Sequence, residues 1–97
     1  MAKGYWVVQV TVEDAETYQR YREAVGAALE AFGGRFLVRA GTQEVAEGAA
    51  RPRTVVIEFP SHAAALDCYR SAAYQEAKAI RLAAAQADFT IVEGLDG

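Results

Sequence analysis

Residues 53–61, Arg-Thr-Val-Val-Ile-Glu-Phe-Pro-Ser, constrain the fold of this chain more than any other stretch. Side chains alternate across a strand, so Val55, Ile57 and Phe59 share one face while Thr54, Val56 and Glu58 share the other. β-Branched and aromatic residues at this density predict a buried central strand. Pro60 ends it, because proline brings no amide to the ladder. Ser61 follows at once, positioned to cap a helix. One face is wholly apolar and needs a layer of helices. The other carries a carboxylate within an apolar run, so its cover must be neither plain core nor open water.

The remaining elements fall into place around this strand. Gly4–Val12 reads as a second central strand, with Trp6, Val8, Val10 and Val12 on one side and Tyr5, Val7, Gln9 and Thr11 on the other. Residues 13–32 read as a helix capped by Asp14, with Tyr18, Tyr21, Val25, Ala28, Leu29 and Phe32 in one buried stripe. Gly33-Gly34 stops it. Residues 35–40 form a strand in which Phe36, Val38 and Ala40 face one way and Arg35, Leu37 and Arg39 the other; Gly41 then marks a bulge or turn. Residues 42–47 have the composition of a short extra strand. A helix runs from its Ser61 cap to about Gln86, broken near Ser71, which caps the restart. Residues 87–93 are the last strand, with Phe89 and Ile91 alternating against Thr90 and Val92, and residues 94–97 are a short tail.

The order β-α-β-β-α-β predicts an α+β, ferredoxin-like sheet of four antiparallel strands, the first and third central and both helices on one face. Ninety-seven residues hold one domain and leave no room for a second core. The face bearing Val7, Leu37, Val56 and Glu58 is too apolar for water, and a two-fold copy of the same sheet is a natural cover, which predicts a homodimer. A net charge of −3 and a pI near 5.1 argue against nucleic acid, whose phosphates need a basic stripe. The third strand also lacks the glycine and exposed aromatics of an RNA-recognition motif. Cys68 stands alone, so no disulfide framework exists. The opening Met-Ala-Lys-Gly-Tyr-Trp has no apolar signal core and no stretch is long enough to span a bilayer. No membrane association and a cytoplasmic setting are therefore expected.

Several pieces of the chain are similar to one group as a set. They are Lys3-Gly-Tyr-Trp-Val-Val8, the Tyr18-x-x-Tyr21 pair, Gly33-Gly-Arg-Phe-Leu-Val-Arg39, Val55-Val-Ile-Glu-Phe-Pro-Ser61, Tyr69-Arg-Ser71, Tyr74-Gln-Glu-Ala-Lys78 and Ile91-Val-Glu-Gly94. From about Lys3 to Gly94 the chain resembles the small bacterial family catalogued as domain of unknown function thirteen-thirty, of the dimeric α/β barrel superfamily. The resemblance implies two sheets packed face to face in a dimer, and it implies no activity. The wider superfamily includes cofactor-free monooxygenases, lactone isomerases and haem enzymes, an analogy of fold alone.

No catalytic motif stands out, and the candidate residues are individual. Strict alternation puts Arg39 and Glu58 together on the dimer-facing side. Buried charges are paired, so a structural ion pair is the favoured reading. The functional alternative is an anion anchor, with a guanidinium fork for a carboxylate or enolate and the glutamate as orienter or base. Tyr18 and Tyr21 lie one turn apart, able to hydrogen-bond a ligand or simply to pack their rings, as is Tyr74. His62, the only histidine, opens the second helix, where the macrodipole favours its neutral form. It lacks the company a metal or haem site needs. Cys68 reads as a buried inert thiol, and Arg35, Arg53, Arg81 and Asp88 as members of surface or interface pairs. These residues are compatible with a binder or enzyme for a small organic molecule, using no metal or nucleotide cofactor. Its pocket would lie between sheet and helices beside Trp6, Tyr18, Tyr21 and Phe59. A non-catalytic dimeric structural or regulatory module is the alternative, and a haem or metal binder ranks below both.

Overall fold

Alternation in the strands and 3.6-residue periodicity in the helices bury the same set of side chains. The computed structural model describes residues 2–96; Met1 and the final glycine of the expected tail lie outside them. The elements are β1 (Gly4–Val12), α1 (Ala15–Ala31), β2 (Arg35–Arg39), β3 (Arg53–Phe59), α2 (His62–Arg70), α3 (Ala72–Ala84) and β4 (Ala85–Glu93). The strands form one antiparallel sheet in the order β2-β3-β1-β4, the ferredoxin-like arrangement expected from the element order. Trp6, Val8 and Val10 of β1 and Val55, Ile57 and Phe59 of β3 are buried in one cluster with Tyr18, Tyr21, Val25, Ala28 and Leu29 of α1. Each large apolar side chain so buried stabilises the fold by about 1.5–3 kcal/mol.

The helix ends follow local chemistry. Asp14 accepts from the Thr17 amide and caps α1, a contact worth about 1 kcal/mol. Ser71 serves two helices at once. Its hydroxyl donates to the Cys68 carbonyl at 2.6 Å, finishing α2, and accepts from the Tyr74 amide at 3.2 Å, starting α3. At the end of α1, Gly33 takes φ +74°, and the Gly34 amide returns to the Leu29 carbonyl at 2.8 Å. This left-handed closure is costly for a residue with a Cβ. Gly4 is required for a different reason. A Cβ there would lie 2.5 Å from the Ser61 carbonyl oxygen and 2.6 Å from the His62 Cα. β1 can start against the head of α2 only because that atom is missing.

Three expectations are corrected. The helix expected to reach about Gln86 ends at Ala84. The Ala84 carbonyl accepts from the amides of Glu13 and Asp14, and Ala85 and Gln86 extend β4 opposite Val12 and Thr11. Sheet pairing here overrides the helix propensity of alanine. Residues 42–47 form no strand. β3 already has β2 on that edge, and Ala40, at φ 55°, turns the chain away after its amide bonds the Thr54 carbonyl. Side chains hold the segment instead: Gln43 donates to the Arg51 carbonyl and accepts from the Thr54 hydroxyl.

The third correction bears on the site. Strict alternation along β2 fails at a bulge, where Phe36 pairs with Ile57 but Val38 pairs with Val56 and Arg39 with Val55. One extra residue on a strand reverses the facing of everything beyond it. Val38 therefore turns to the outer face, and Arg39 turns to the helix side.

Candidate functional site

A cleft opens between the helix side of the sheet and helices α1 and α3. About 40 Å³ of free space lies inside it, beyond the 10–15 Å³ that one water needs. Its aromatic walls are Trp6, Tyr18, Tyr21, Phe36 and Phe89, and it contains four arginines, Arg22, Arg39, Arg53 and Arg81. Arg22 and Arg39 are exposed and mark the mouth; Trp6 and Arg81 are buried and mark the floor. The cleft exists because β2 is a short edge strand whose five residues are not buried, while buried residues of α1 join the core further in.

Three of the four arginines stand against rings. Arg39 lies 4.4 Å from the Phe36 centroid and Arg53 5.4 Å from that of Tyr18. Arg81 lies 5.8 Å from Tyr21 and 5.7 Å from Phe89, all within the range of cation–π attraction. Behind Arg81, the hydroxyls of Tyr21 and Tyr74 are hydrogen-bonded to each other at 3.1 Å. Burial raises the pKa of both phenols. For Arg81 burial works against the charge, but the two phenol oxygens outweigh it and the net shift is upward. Trp6 completes the floor, its Nε1–H donating to the Ala65 carbonyl at 2.9 Å.

Of the residues singled out in the sequence, Tyr18, Tyr21 and Arg39 meet in this cleft. Glu58 does not. It lies on the outer face opposite Tyr5 and Arg35, so the expected ion pair with Arg39 is replaced. Its partners are Arg35 at 2.9 Å, Lys3 at 3.4 Å and the Tyr5 hydroxyl at 3.2 Å. Burial opposes its charge, yet these three donors hold its carboxyl below the usual range. His62 is also elsewhere, at the start of α2 beside Gly4, its Nδ1 buried without a hydrogen-bond partner. Phe59 packs on Trp6 at 4.9 Å within the core instead of lining the cleft. Cys68 is buried with its thiol directed to the Ala28 carbonyl at 3.5 Å, and burial pushes its pKa up to about 11.

Arg53 and Arg81, read from sequence as surface or interface pairs, are the residues that reasoning missed. Both had a signal. Arg53 has the parity of Val55, Ile57 and Phe59, and Arg81 falls in the apolar stripe of Tyr74, Ala77 and Ala84. Among the described residues no group of three or more His, Cys, Asp or Glu side chains is arranged to hold a metal. No helix among them is long and apolar enough to cross a membrane.

Sheet, helices and cleft together define a ferredoxin-like α+β protein with an arginine-lined cavity beneath its helical layer. More particularly, the chain belongs to the family described as Domain of unknown function (DUF1330), whose model matches residues 3–95. No curated protein matches it in sequence. Among solved structures it is similar to RPA0582 of Rhodopseudomonas palustris, a protein of unknown function. The two share 21% identity with a TM-score of 0.79, over 99% of this chain and 85% of that one. The methylated form of RPA0582 gives the same identity and score, over 98% and 82%. SnoaB of Streptomyces nogalater, a cofactor-independent oxygenase, shares the fold at a TM-score of 0.66 and 11% identity, over 100% and 97%.

Proposed function

We propose that the protein binds a small organic molecule in the cleft beside Trp6, Tyr18 and Tyr21, with no metal or nucleotide cofactor. The observation that carries this reading is free space of about 40 Å³ between sheet and helices, walled by aromatic rings and reaching solvent past Arg22 and Arg39. Pockets of this make-up, mainly apolar with a few polar groups, are the usual form of a small-molecule site. The shared fold of a cofactor-independent oxygenase is an analogy that suits such a role and assigns no reaction.

A thermal-shift screen against small organic metabolites tests it. Some compounds are expected to raise the unfolding midpoint saturably, by the stabilisation a native-state ligand confers, about 2.7 kcal/mol at a hundred times Kd. Val25→Phe, which fills the cleft from α1, is expected to fold and to lose the effect. A screen without saturable hits, or hits unchanged in Val25→Phe, would remove the reading.

The same proposal includes a homodimer formed through the outer face of the sheet and working in the cytoplasm. Val7, Val38 and Val92 are 36%, 40% and 44% exposed there, and the register brings Val7 and Val38 together around Val56. A second sheet on this patch would remove apolar area from water. Light scattering at micromolar concentration is expected to give twice the 10.5 kDa chain mass, and Val7→Arg to give the monomer. A wild-type monomer would overturn the dimer. The unpaired Cys68 suits the reducing setting.

A further inference from the structure

The charge inside the cleft is one-sided. Among the described residues, four guanidinium groups line it and no carboxylate does, although the chain as a whole carries a net charge of −3. Glu58 and Asp88 pair instead with Arg35 and Arg51. Both acids belong to the outer face, where Glu58 lies opposite Tyr5 and Asp88 opposite Gln9.

The deepest of the four is the most informative. Arg81 is 5% exposed, and its Nε–H is buried without a hydrogen-bond partner; the Nε–H of Arg53 is in the same condition. Proteins pair their buried charges, and a buried donor left unmade is destabilising. Rings at 5.4–5.8 Å offset part of the charge but accept none of these hydrogens in the plane of the guanidinium. The Tyr21–Tyr74 pair uses one O–H between its two oxygens, and the other hydrogen remains to be donated. The floor of the cleft thus combines positive charge with two unmet Nε–H donors, and the chain sets neutral phenol oxygens, not a carboxylate, beside Arg81.

Resting on the small-molecule reading above, we infer that the ligand is an organic carboxylate, its head held by Arg81 and Arg53 and its apolar body against the rings of Tyr18 and Phe36. A free volume of about 40 Å³ suits a carboxylate head at the floor, with the body extending toward the mouth. The planar fork of arginine matches that head bidentately. Arg39 and Arg22 at the mouth add to a field that draws anions in, since a cleft walled by low-dielectric groups focuses it.

Trp6 is the only tryptophan and lines the cleft, so its emission reports occupancy. The experiment titrates the full chain at neutral pH and low salt with benzoate and phenylacetate, and with benzamide, phenylacetamide and inorganic phosphate as controls. Both carboxylates are expected to bind at least tenfold more tightly than their amides and than phosphate. Arg81→Met is expected to lose at least tenfold in benzoate affinity while its ligand-free urea midpoint stays close to or above wild type, because a buried cation with no carboxylate partner has been replaced by an apolar chain of similar length. Arg53→Gln, at a half-buried position, is expected to lose affinity likewise and gives a second arm should Arg81→Met unfold. Amides binding as well as acids would overturn the carboxylate and leave the small-molecule reading standing. Phosphate binding as tightly as benzoate would overturn the organic body. Unchanged benzoate affinity in both arginine variants would overturn the anchor. Failure of every compound, together with an empty metabolite screen, would remove both readings.

Discussion

Trp6→Ala is expected to cost about 3–5 kcal/mol of folding stability, a large fraction of the about 5–15 kcal/mol that a domain of this size possesses. Trp6 is 1% exposed and packs against four other rings. Phe59, Tyr74 and Phe89 lie within 5.0 Å of it, centroid to centroid, and Tyr69 at 6.3 Å. These rings come from β3, α3, β4 and α2, so one side chain ties four elements to β1. Its Nε1–H also bonds the Ala65 carbonyl, fixing α2 against the sheet. Alanine would leave a cavity continuous with the cleft, and the edge-to-face contacts, each worth about 0.5–1.5 kcal/mol beyond burial, would go with it. Trp6→Phe keeps a ring and loses the donor, so an intermediate loss is expected. Urea unfolding followed by circular dichroism gives both numbers. A loss below about 1 kcal/mol for alanine, under the range for large aromatic truncations, would show that the four elements do not depend on this ring.

The same residue illustrates how far the sequence could be read. Trp6 belonged to an alternating run whose period alone assigned it to the helix side, and Asp14, Ser61, Ser71 and Gly33 marked the helix limits through chemistry local to a few residues. What sequence could not yield was the facing of Arg39. The bulge between Phe36 and Val38 lies in Arg-Phe-Leu-Val-Arg, where no glycine or proline announces it; Gly41, the residue that looked like the interruption, comes after it. One hidden residue moved Arg39 across the sheet and dissolved the pair with Glu58. Arg53 and Arg81 failed for another reason. Their parity and periodicity pointed inward, but an arginine without an acid is expected outward, since burial of an unpaired cation is unfavourable. Local consistency gives way at the cleft, which is where functional sites commonly break the rules that hold elsewhere.

Above pH 10 the protein is expected to lose stability faster than a variant in which Tyr21 and Tyr74 are both phenylalanine. Tyr21 and Tyr74 are 9% and 0% exposed and share a hydrogen bond at 3.1 Å. Burial, followed by the neighbouring Tyr74 phenol, raises the pKa of Tyr21, with Arg81 opposing; burial likewise raises that of Tyr74, with Tyr21 and Arg81 opposing. In the unfolded chain each phenol titrates near 10. A group whose folded pKa is raised keeps its stabilising contribution fully below the unfolded value. Above it, the unfolded chain holds fewer protons than the native one, so stability falls as pH rises. Each such tyrosine contributes a slope of about 1.4 kcal/mol per pH unit until its folded pKa is reached. Tyr21 alone loses as much over two pH units as a sizeable single mutation costs, and Tyr74 adds to it in the same direction. Urea midpoints for wild type and for Tyr21→Phe/Tyr74→Phe, taken at pH 7 and at half-unit steps above pH 10, measure the difference. The wild-type curve is expected to descend more steeply, with the tyrosinate absorbance of this pair, taken as wild type minus the double variant, rising only as the protein unfolds. Parallel curves, or tyrosinate from these two rings in the folded protein, would mean that the pair is wetter than its packing against Arg81 and the floor of the cleft requires.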